Sequence, residues 1–391
     1  MNKRLIVLCT SFVMTAILFL SGTCPATPGG QKPGKAESWT FAIFVSGDNS
    51  LEKYWDEVSL PSLLKLPANS NLKIVAAIDR LSVEGTELVE ISGGGWELVA
   101  SYPEMDFGSG DTFSWFLQLM SDNYKSDKLA VTAWDHGYAW RYISDDVTSG
   151  SRISMPELQA AIQSAGVYVD LLAFDACNMA ALEVVYQVSL TGLVGIVVAS
   201  EESVPTTGYP YDLMLSPMAL DTSRSPLEVA TDMVEGFRIY YEPQTWASTV
   251  SLSAVSVSAV AASSSTLMSW VSAMNSGLAL YADNYKSALM GTYSAWATHY
   301  HVDIACLGDT ILGDQSIMDE NLRAATAAMV STIDDSVISK WGGRSAADAR
   351  GLTLWWGCGG DWKTYSTAYL EVAFSTDFGW WDFLEDYQLS K

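Results

Sequence analysis

Histidine and positive charge are both scarce in this chain. Among 391 residues there are three histidines, His136, His299 and His301, so any chemistry that needs an imidazole must use one of them. Lys and Arg total 21 against 45 Asp and Glu, a formal net charge of −24, and no basic cluster interrupts that excess. Nucleic acid is held through clustered cations, so it is excluded as an expected partner; cationic partners suit the balance better. Charged residues make up only 17% of the chain while 49% are hydrophobic, which excludes a disordered polymer and provides for a large core. Long apolar runs are also lacking, with one exception at the N-terminus.

That exception is Leu5 to Leu20, preceded by Lys3 and Arg4 and followed by the small residues Ser21-Gly22-Thr23-Cys24. A charged, then apolar, then small-residue layout is that of a secretory signal, and the run is short for a spanning helix. Residues 1–24 therefore read as a signal peptide and 25–38, rich in Pro, Gly and Lys, as a linker. The mature protein is expected to be secreted or extracytoplasmic, with no stable membrane span. Cys24 would permit a lipid anchor, but Thr23 directly before it fits a lipobox poorly. Three cysteines remain beyond the leader: Cys177, Cys306 and Cys358. An odd number leaves at least one thiol unpaired; Cys306 and Cys358 can pair, which would leave Cys177.

From Trp39 onward, strands and helices alternate. WTFAIFVS (39–46), LKIVAAID (72–79), LAVTAWD (129–135), VDLLAFD (169–175) and LVGIVVAS (193–200) are continuous apolar runs of the kind buried on both faces. Glu87–Ile91 and Trp96–Ala100 flank three glycines as a hairpin would. Asp111 is placed to cap a helix running to about Tyr124, Ser154-Met155-Pro156-Glu157 is a capping box, and a helix is expected from Cys177 to about Ser189. Further helices are expected at 225–241, 264–290 and 319–339 and from Trp380, with strands at 249–260, 352–356 and 369–374. The pattern predicts an α/β fold with a mostly parallel sheet covered on both faces over residues 39–245, and a mainly helical region over 246–391 packed on it.

Parallel strands present their C-terminal ends on one edge, where ligands bind. On that edge fall Asp79, Asp135-His136-Gly137, Asp175-Ala176-Cys177 and Ser200-Glu201-Glu202. The odd thiol and a histidine thus converge. A thiol attacks carbonyls as its thiolate and needs a lowered pKa or a nearby base, which the positive end of a helix and His136 would supply. His136 can also protonate a leaving amine. Gly137 lets its N–H approach a developing oxyanion, and the Cys177 N–H can be the second donor. Asp48 and Asp79 at strand ends suit turn formation and capping, or the ordering of nearby loops. His299 and His301 would share one face of a strand, yet no third ligand is spaced to make a metal site with them.

These segments resemble the clostripain-type cysteine peptidases, relatives of caspases, gingipains and legumains. The carrying segments are WTFAIFVSGDNSLE (39–52), LKIVAAIDR (72–80), AWDHGYAW (133–140), LLAFDACNMAALEVVYQ (171–187) and VVASEESVPTTGYPYD (197–212), with weaker echoes to the C-terminus. The resemblance implies a caspase-like α/β/α sandwich with a His136–Cys177 dyad. It places Asp175 as the acid that receives an Arg or Lys side chain of the substrate, with Glu201 and Glu202 as candidates to complete that pocket. The implied reaction is endopeptidase cleavage after Arg or Lys through an acyl-enzyme, on protein or peptide substrates. No cofactor is required for that chemistry. Some relatives imply calcium dependence; Asp145-Asp146 could serve, though no ordered calcium-loop spacing is present. Self-cleavage between the dyad residues is also implied, with Arg141 and Arg152 as basic residues there and Arg152 the better placed. The chain departs from the family pattern at Ala139, where glycine is usual, and at Asn178, where leucine is common. Two other readings remain: a catalytically silent module binding peptides or cations at the same edge, and a peptidase with a non-basic preference.

Overall fold

The computed structural model describes residues 37–295 and 301–390. The signal segment, Cys24, residues 25–36 of the linker and His299 lie outside the described residues. The chain forms β1 (Trp39–Gly47), β2 (Leu72–Arg80), β3 (Val83–Ser92), β4 (Gly95–Tyr102), β5 (Lys128–Trp134), β6 (Ile143–Asp146), β7 (Ser151–Ile153), β8 (Val169–Asp175), β9 (Val194–Ala199) and β10 (Ser251–Ser256). Four strands follow: β11 (Ser294–Ala295), β12 (His301–Asp303), β13 (Val337–Gly342) and β14 (Thr353–Trp355). Nine of these make one sheet in the order β13-β10-β9-β8-β5-β1-β2-β3-β4. Its five central strands are parallel, and antiparallel pairs finish both edges.

Every residue of β1 is buried, as a strand covered on both faces must be. Ala42 and Phe44 join a core with the helices Gly110–Asn123, Met155–Ala165 and Leu182–Ser189, whereas Phe41, Ile43 and Val45 pack with Tyr211–Leu220 and Pro226–Tyr241. The result is the expected α/β/α sandwich. The capping boxes at Ser154/Glu157 and Ser225/Glu228 open two of these helices. From β1 the chain steps to β2 on one side and later to β5, β8 and β9 on the other. The β1 and β5 ends therefore flank the point where strand order reverses, the usual place for a crevice.

Beyond residue 245 the chain adds β10 and β13 to the sheet edge and stacks the helices Ser264–Gly291, Ile304–Gly313 and Glu320–Ser336 against the first core. The terminal helix Trp380–Leu389 closes an aromatic cluster in which the Trp356 ring meets Trp380, Phe383 and Tyr387 edge-on at 5.3–5.4 Å.

Several elements differ from the sequence reading. The helix Gly110–Asn123 is capped by Ser109, whose side chain accepts the Asp111 N–H, so Asp111 sits inside the first turn. The 249–260 run is a strand only to Ser256, whose hydroxyl then caps a helix at Val257. The 319–339 helix stops at Ser336 because Val337–Gly342 pairs with β10 instead. Residues 369–374 alternate like a strand but join two helices, Gly359–Tyr369 and Ala373–Asp377, with Val372 N donating to Tyr369 O and Phe374 packed edge-on against Tyr186. The helix expected from Cys177 begins only at Leu182. Residues 177–181 are drawn out by tertiary hydrogen bonds: Asn178 N to Glu202 O, Ala180 N to Ser200 O, and Thr353 N to Ala180 O. No disulfide joins Cys177, Cys306 and Cys358.

Candidate active site

Strand register determines what meets at the sheet edge. Trp134 on β5 is the partner of Asp175 on β8, and Asp135 N donates to the Asp175 carbonyl at 3.3 Å. The segments that follow, Asp135-His136-Gly137 and Ala176-Cys177, thus leave neighbouring strands side by side. Their contact is tight enough to require glycine. A Cβ on Gly137 would lie 2.8 Å from the Cys177 carbonyl oxygen and 2.9 Å from Met179 Sδ. His136 and Cys177 consequently line one cavity of about 150 Å³, together with Asp175, Leu51, Val204 and Gly208.

Each reactive side chain is held by its surroundings. Cys177 Sγ lies 3.7 Å from the Val204 carbonyl oxygen, and burial pushes its thiol pKa up. Cys177 does not stand at a helix N-terminus, so the helix-dipole activation expected from sequence is not available to it. His136 Nε2 lies 3.3 Å from Ser50 Oγ, and its carbonyl accepts the Ser144 N–H at 3.1 Å. Burial lowers the imidazole pKa, Asp145 opposes that shift and Arg152 adds to it. Both shifts favour a neutral thiol beside a neutral imidazole rather than an ion pair. Among the described residues neither the Gly137 nor the Cys177 N–H donates to another group: the Gly137–Ile143 bridge is carried by Ser144 N to His136 O and Tyr138 N to Tyr142 O. Two backbone donors beside the thiol are therefore unspent.

The loop after Cys177 turns through Asn178 at φ +61°, a left-handed conformation that Asn tolerates better than a branched residue. Its side-chain amide donates to the Glu201 carbonyl at 2.8 Å. One of the two residues at which the chain departs from the family pattern thus ties its loop to the segment after β9.

Asp175 is buried, and both of its side-chain hydrogen bonds fall on Oδ2, from Tyr209 N at 3.1 Å and Tyr211 Oη at 2.9 Å. Among the described residues Oδ1 takes no hydrogen bond. Gly208, at φ +59°, brings bare backbone against the carboxylate; a Cβ there would sit 3.0 Å from Oδ2. Burial pushes the Asp175 pKa up to about 7, against the pull of the two donors. An acid in a cavity with an unused oxygen is a receptor for a cation or a strong donor.

Glu201 and Glu202 do not bring their carboxylates to this cavity. Glu201 Oε1 accepts the Gly351 N–H at 2.6 Å and stands against Asp303; Glu202 Oε1 accepts the Tyr293 hydroxyl. Their side chains bind the C-terminal region, which is the correction to the pocket role expected of them. Arg152 lies within β7, its Nε 2.7 Å from Asp145 Oδ1 and its guanidinium over the Tyr142 ring, and the next residue, Ile153, is fully buried. The bond after Arg152 is thus held in a paired strand rather than in the exposed turn at 147–150. Arg141 is sandwiched between Tyr138 and Tyr365, with its guanidinium carbon 4.1 and 4.0 Å from the ring centroids. His301 is buried in β12 opposite Trp355 and lines no part of the cavity. Of the Asp145-Asp146 pair, Asp145 is taken by Arg152, whereas Asp146 turns toward Asp48 and Asp79.

Sequence reasoning missed Asn49, Ser50, Tyr209 and Tyr211. Asn49 Nδ2 donates to Asp135 Oδ1 at 2.7 Å and to the Asp145 carbonyl at 2.8 Å, fixing the loop beside His136. Asn49 and Ser50 lie in SGDNS after β1, and the two tyrosines in TTGYPYD; both are polar or aromatic punctuation at strand ends, the signal that could have marked them.

The clostripain family model matches residues 43–387. Among solved structures, a secreted C11 cysteine protease from Bacteroides thetaiotaomicron in complex with an irreversible peptide inhibitor superposes with a TM-score of 0.65, at 18% identity over 88% of this chain and 99% of that one. An inactive zymogen C11 protease from Parabacteroides distasonis gives 0.67 at 16% identity, and a further secreted Bacteroides thetaiotaomicron C11 protease, iotapain, gives 0.70 at 13%, each with the same coverage. At such identities these likenesses speak for the fold. No curated protein matches the chain.

Proposed function

Because the chain belongs to the clostripain family of cysteine peptidases, we propose that it is an exported endopeptidase that cleaves after Arg or Lys with Cys177 and His136 as its dyad. The observation that carries this reading is that the thiol, the imidazole and the Asp175 carboxylate line one cavity. The Arg or Lys side chain of the substrate enters it and meets Asp175, whose Oδ1 is open to a charge-assisted hydrogen bond. His136, neutral in the free site, takes the Cys177 proton as Sγ attacks the scissile carbonyl carbon, and passes that proton to the leaving amine. The Gly137 and Cys177 N–H groups, unspent elsewhere, stabilise the oxyanion. Water, deprotonated by His136, then releases the acyl group from sulfur. Export is supported by the N-terminal signal pattern and by neighbours described as secreted. Residues 39–245 carry the machinery, and 246–391 brace it through Gly351 and Trp355, whose N–H groups bind Glu201 and Glu183.

Profiling of cleavage positions in a peptide library tests this directly. Cleavage after Arg and Lys by the wild-type protein, absent in Cys177→Ala, is the expected result. Hydrolysis after other residues would move the preference elsewhere, and no hydrolysis with or without calcium would leave a peptide-binding module.

A further inference from the structure

The chain after His136 borders a second cavity, on the other side of the sheet edge from Asp175. The Asp175 cavity is lined by Trp134 and lies on the face whose core also holds Tyr209 and Tyr211. The second, of about 270 Å³, is lined by Trp140 and Met155 of the opposite core. His136 and Cys177 stand between the two. Two cations face the second cavity, Arg141 and Arg152.

In a chain with 45 acids and 21 bases, cations are readily taken up: Arg80, Arg152, Arg224, Arg238 and Arg350 each pair with a carboxylate. Among the described residues Arg141 forms no ion pair. Its guanidinium carbon lies instead 4.1 and 4.0 Å from the Tyr138 and Tyr365 ring centroids. At those distances the rings cover the faces of the guanidinium and leave its in-plane N–H groups as a fork for a carboxylate. Arg152 adds a second fork. Asp145 engages only its Nε, at 2.7 Å, and among the described residues neither of its Nη atoms has a hydrogen-bond partner. The Arg152 and Arg141 guanidinium carbons lie 4.6 and 6.0 Å from the centroid of the Tyr142 ring. Glu371 is the one acid among the residues that line this cavity, and it is exposed, where water and salt screen its charge.

The path of a substrate leads to the same place. With its Arg or Lys on Asp175 and its scissile carbonyl over Cys177, a peptide departs by way of His136, which protonates the leaving amine. The residues after the scissile bond therefore run past His136 toward Tyr138, Tyr142 and the two arginines. Arg152 is near enough for its charge to lower the His136 pKa. Resting on the peptidase reading above, we propose that Arg141 and Arg152 form a subsite for an acidic side chain on the leaving-group side of the scissile bond, so that preferred substrates carry Asp or Glu there. A carboxylate bound at Arg152 also offsets the charge that depresses the imidazole pKa, and so strengthens the base that serves Cys177.

The subsite is read by binding, apart from the chemistry. Fluorescence anisotropy on the full chain carrying Cys177→Ala compares labelled peptides that share one Arg and have Glu or Gln at each of the first three positions after it. At one of these positions the Glu peptide should bind about three- to tenfold more tightly, an advantage that shrinks as salt is raised. Adding Arg141→Gln should bring the two affinities together; should that variant fail to fold, Arg152→Gln decides in its place. Equal affinities at all three positions, or a Glu preference kept in the folded arginine variant, would overturn the proposal. Failure of the wild-type protein to hydrolyse these peptides while the Glu preference holds would overturn the peptidase reading and leave the acid-binding subsite standing.

Discussion

Asp175 and Asp79 are two buried carboxylates on opposite faces of one sheet, and their surroundings assign them different tasks. Asp175 follows Ala173 on the face that packs against Tyr209 and Tyr211, and receives a donor from each. Asp79 follows Ala77 on the other face, and among the described residues no side chain donates to it. An acid with some donors and an open oxygen is poised for an organic cation; one with no donors needs a proton. The pH consequence for Asp175 has a definite sign. Its pKa is raised to about 7, so it loses its charge as pH falls through that value, and the substrate cation proposed for it would then lose its partner. The kcat/KM of the wild-type protein on Arg substrates should therefore fall below about pH 7. Asp175→Asn should lower it by roughly 30-fold or more at pH 8, the order expected for stranding a buried charge, and should remove that acid limb. A pH profile on an Arg substrate and its neutral isostere checks this; an unchanged limb in the variant would assign the titration to another group.

At the scale of elements, the loop after Cys177 is shaped by long-range bonds. The residues after Cys177 read as helical in sequence, since LEVVYQ continues in the same register, but the helix is delayed to Leu182 by bonds to residues 200–202 and to β14. Local propensity cannot announce such bonds, because their partners lie far along the chain. The helix itself is anchored through Glu183. Its Oε1 accepts Trp355 N at 2.8 Å and Tyr369 Oη at 3.0 Å, and burial pushes its pKa up to about 7. Truncation would leave both donors buried and unpaired. Glu183→Ala should cost about 2–5 kcal/mol, while Glu183→Gln, which keeps an acceptor oxygen, should cost much less. Urea unfolding of the two variants distinguishes them, and equal losses would mean that packing rather than the acceptor matters. The same distance effect explains Glu201 and Glu202. Their position at a strand end was legible, but Gly351 and Tyr293, which turn them away from the cavity, lie 150 and 91 residues downstream.

Across the whole molecule, the parallel core was the legible part. Strands β1, β2, β5, β8 and β9 are runs dominated by apolar and β-branched residues, and their shared direction is enough to put His136 and Cys177 on one edge. The C-terminal half was less legible because tertiary pairing decides where its elements end, as where Val337–Gly342 pairs with β10 and stops the preceding helix at Ser336. The net charge of −24 taken alone points only to cationic partners. Its buried share now has places: Asp175 in the cavity, and the Asp48, Asp79 and Asp146 cluster on the opposite face. Whether Cys177 is a nucleophile served by a cation-receiving acid is read by intact-mass measurement after incubation with an arginyl chloromethylketone, followed by peptide mapping. One adduct per chain on Cys177, slowed severalfold or more by Asp175→Asn and absent in Cys177→Ala, is the predicted result. Equal labelling of the wild type and Asp175→Asn, or an adduct on Cys306 or Cys358 in place of Cys177, would contradict it.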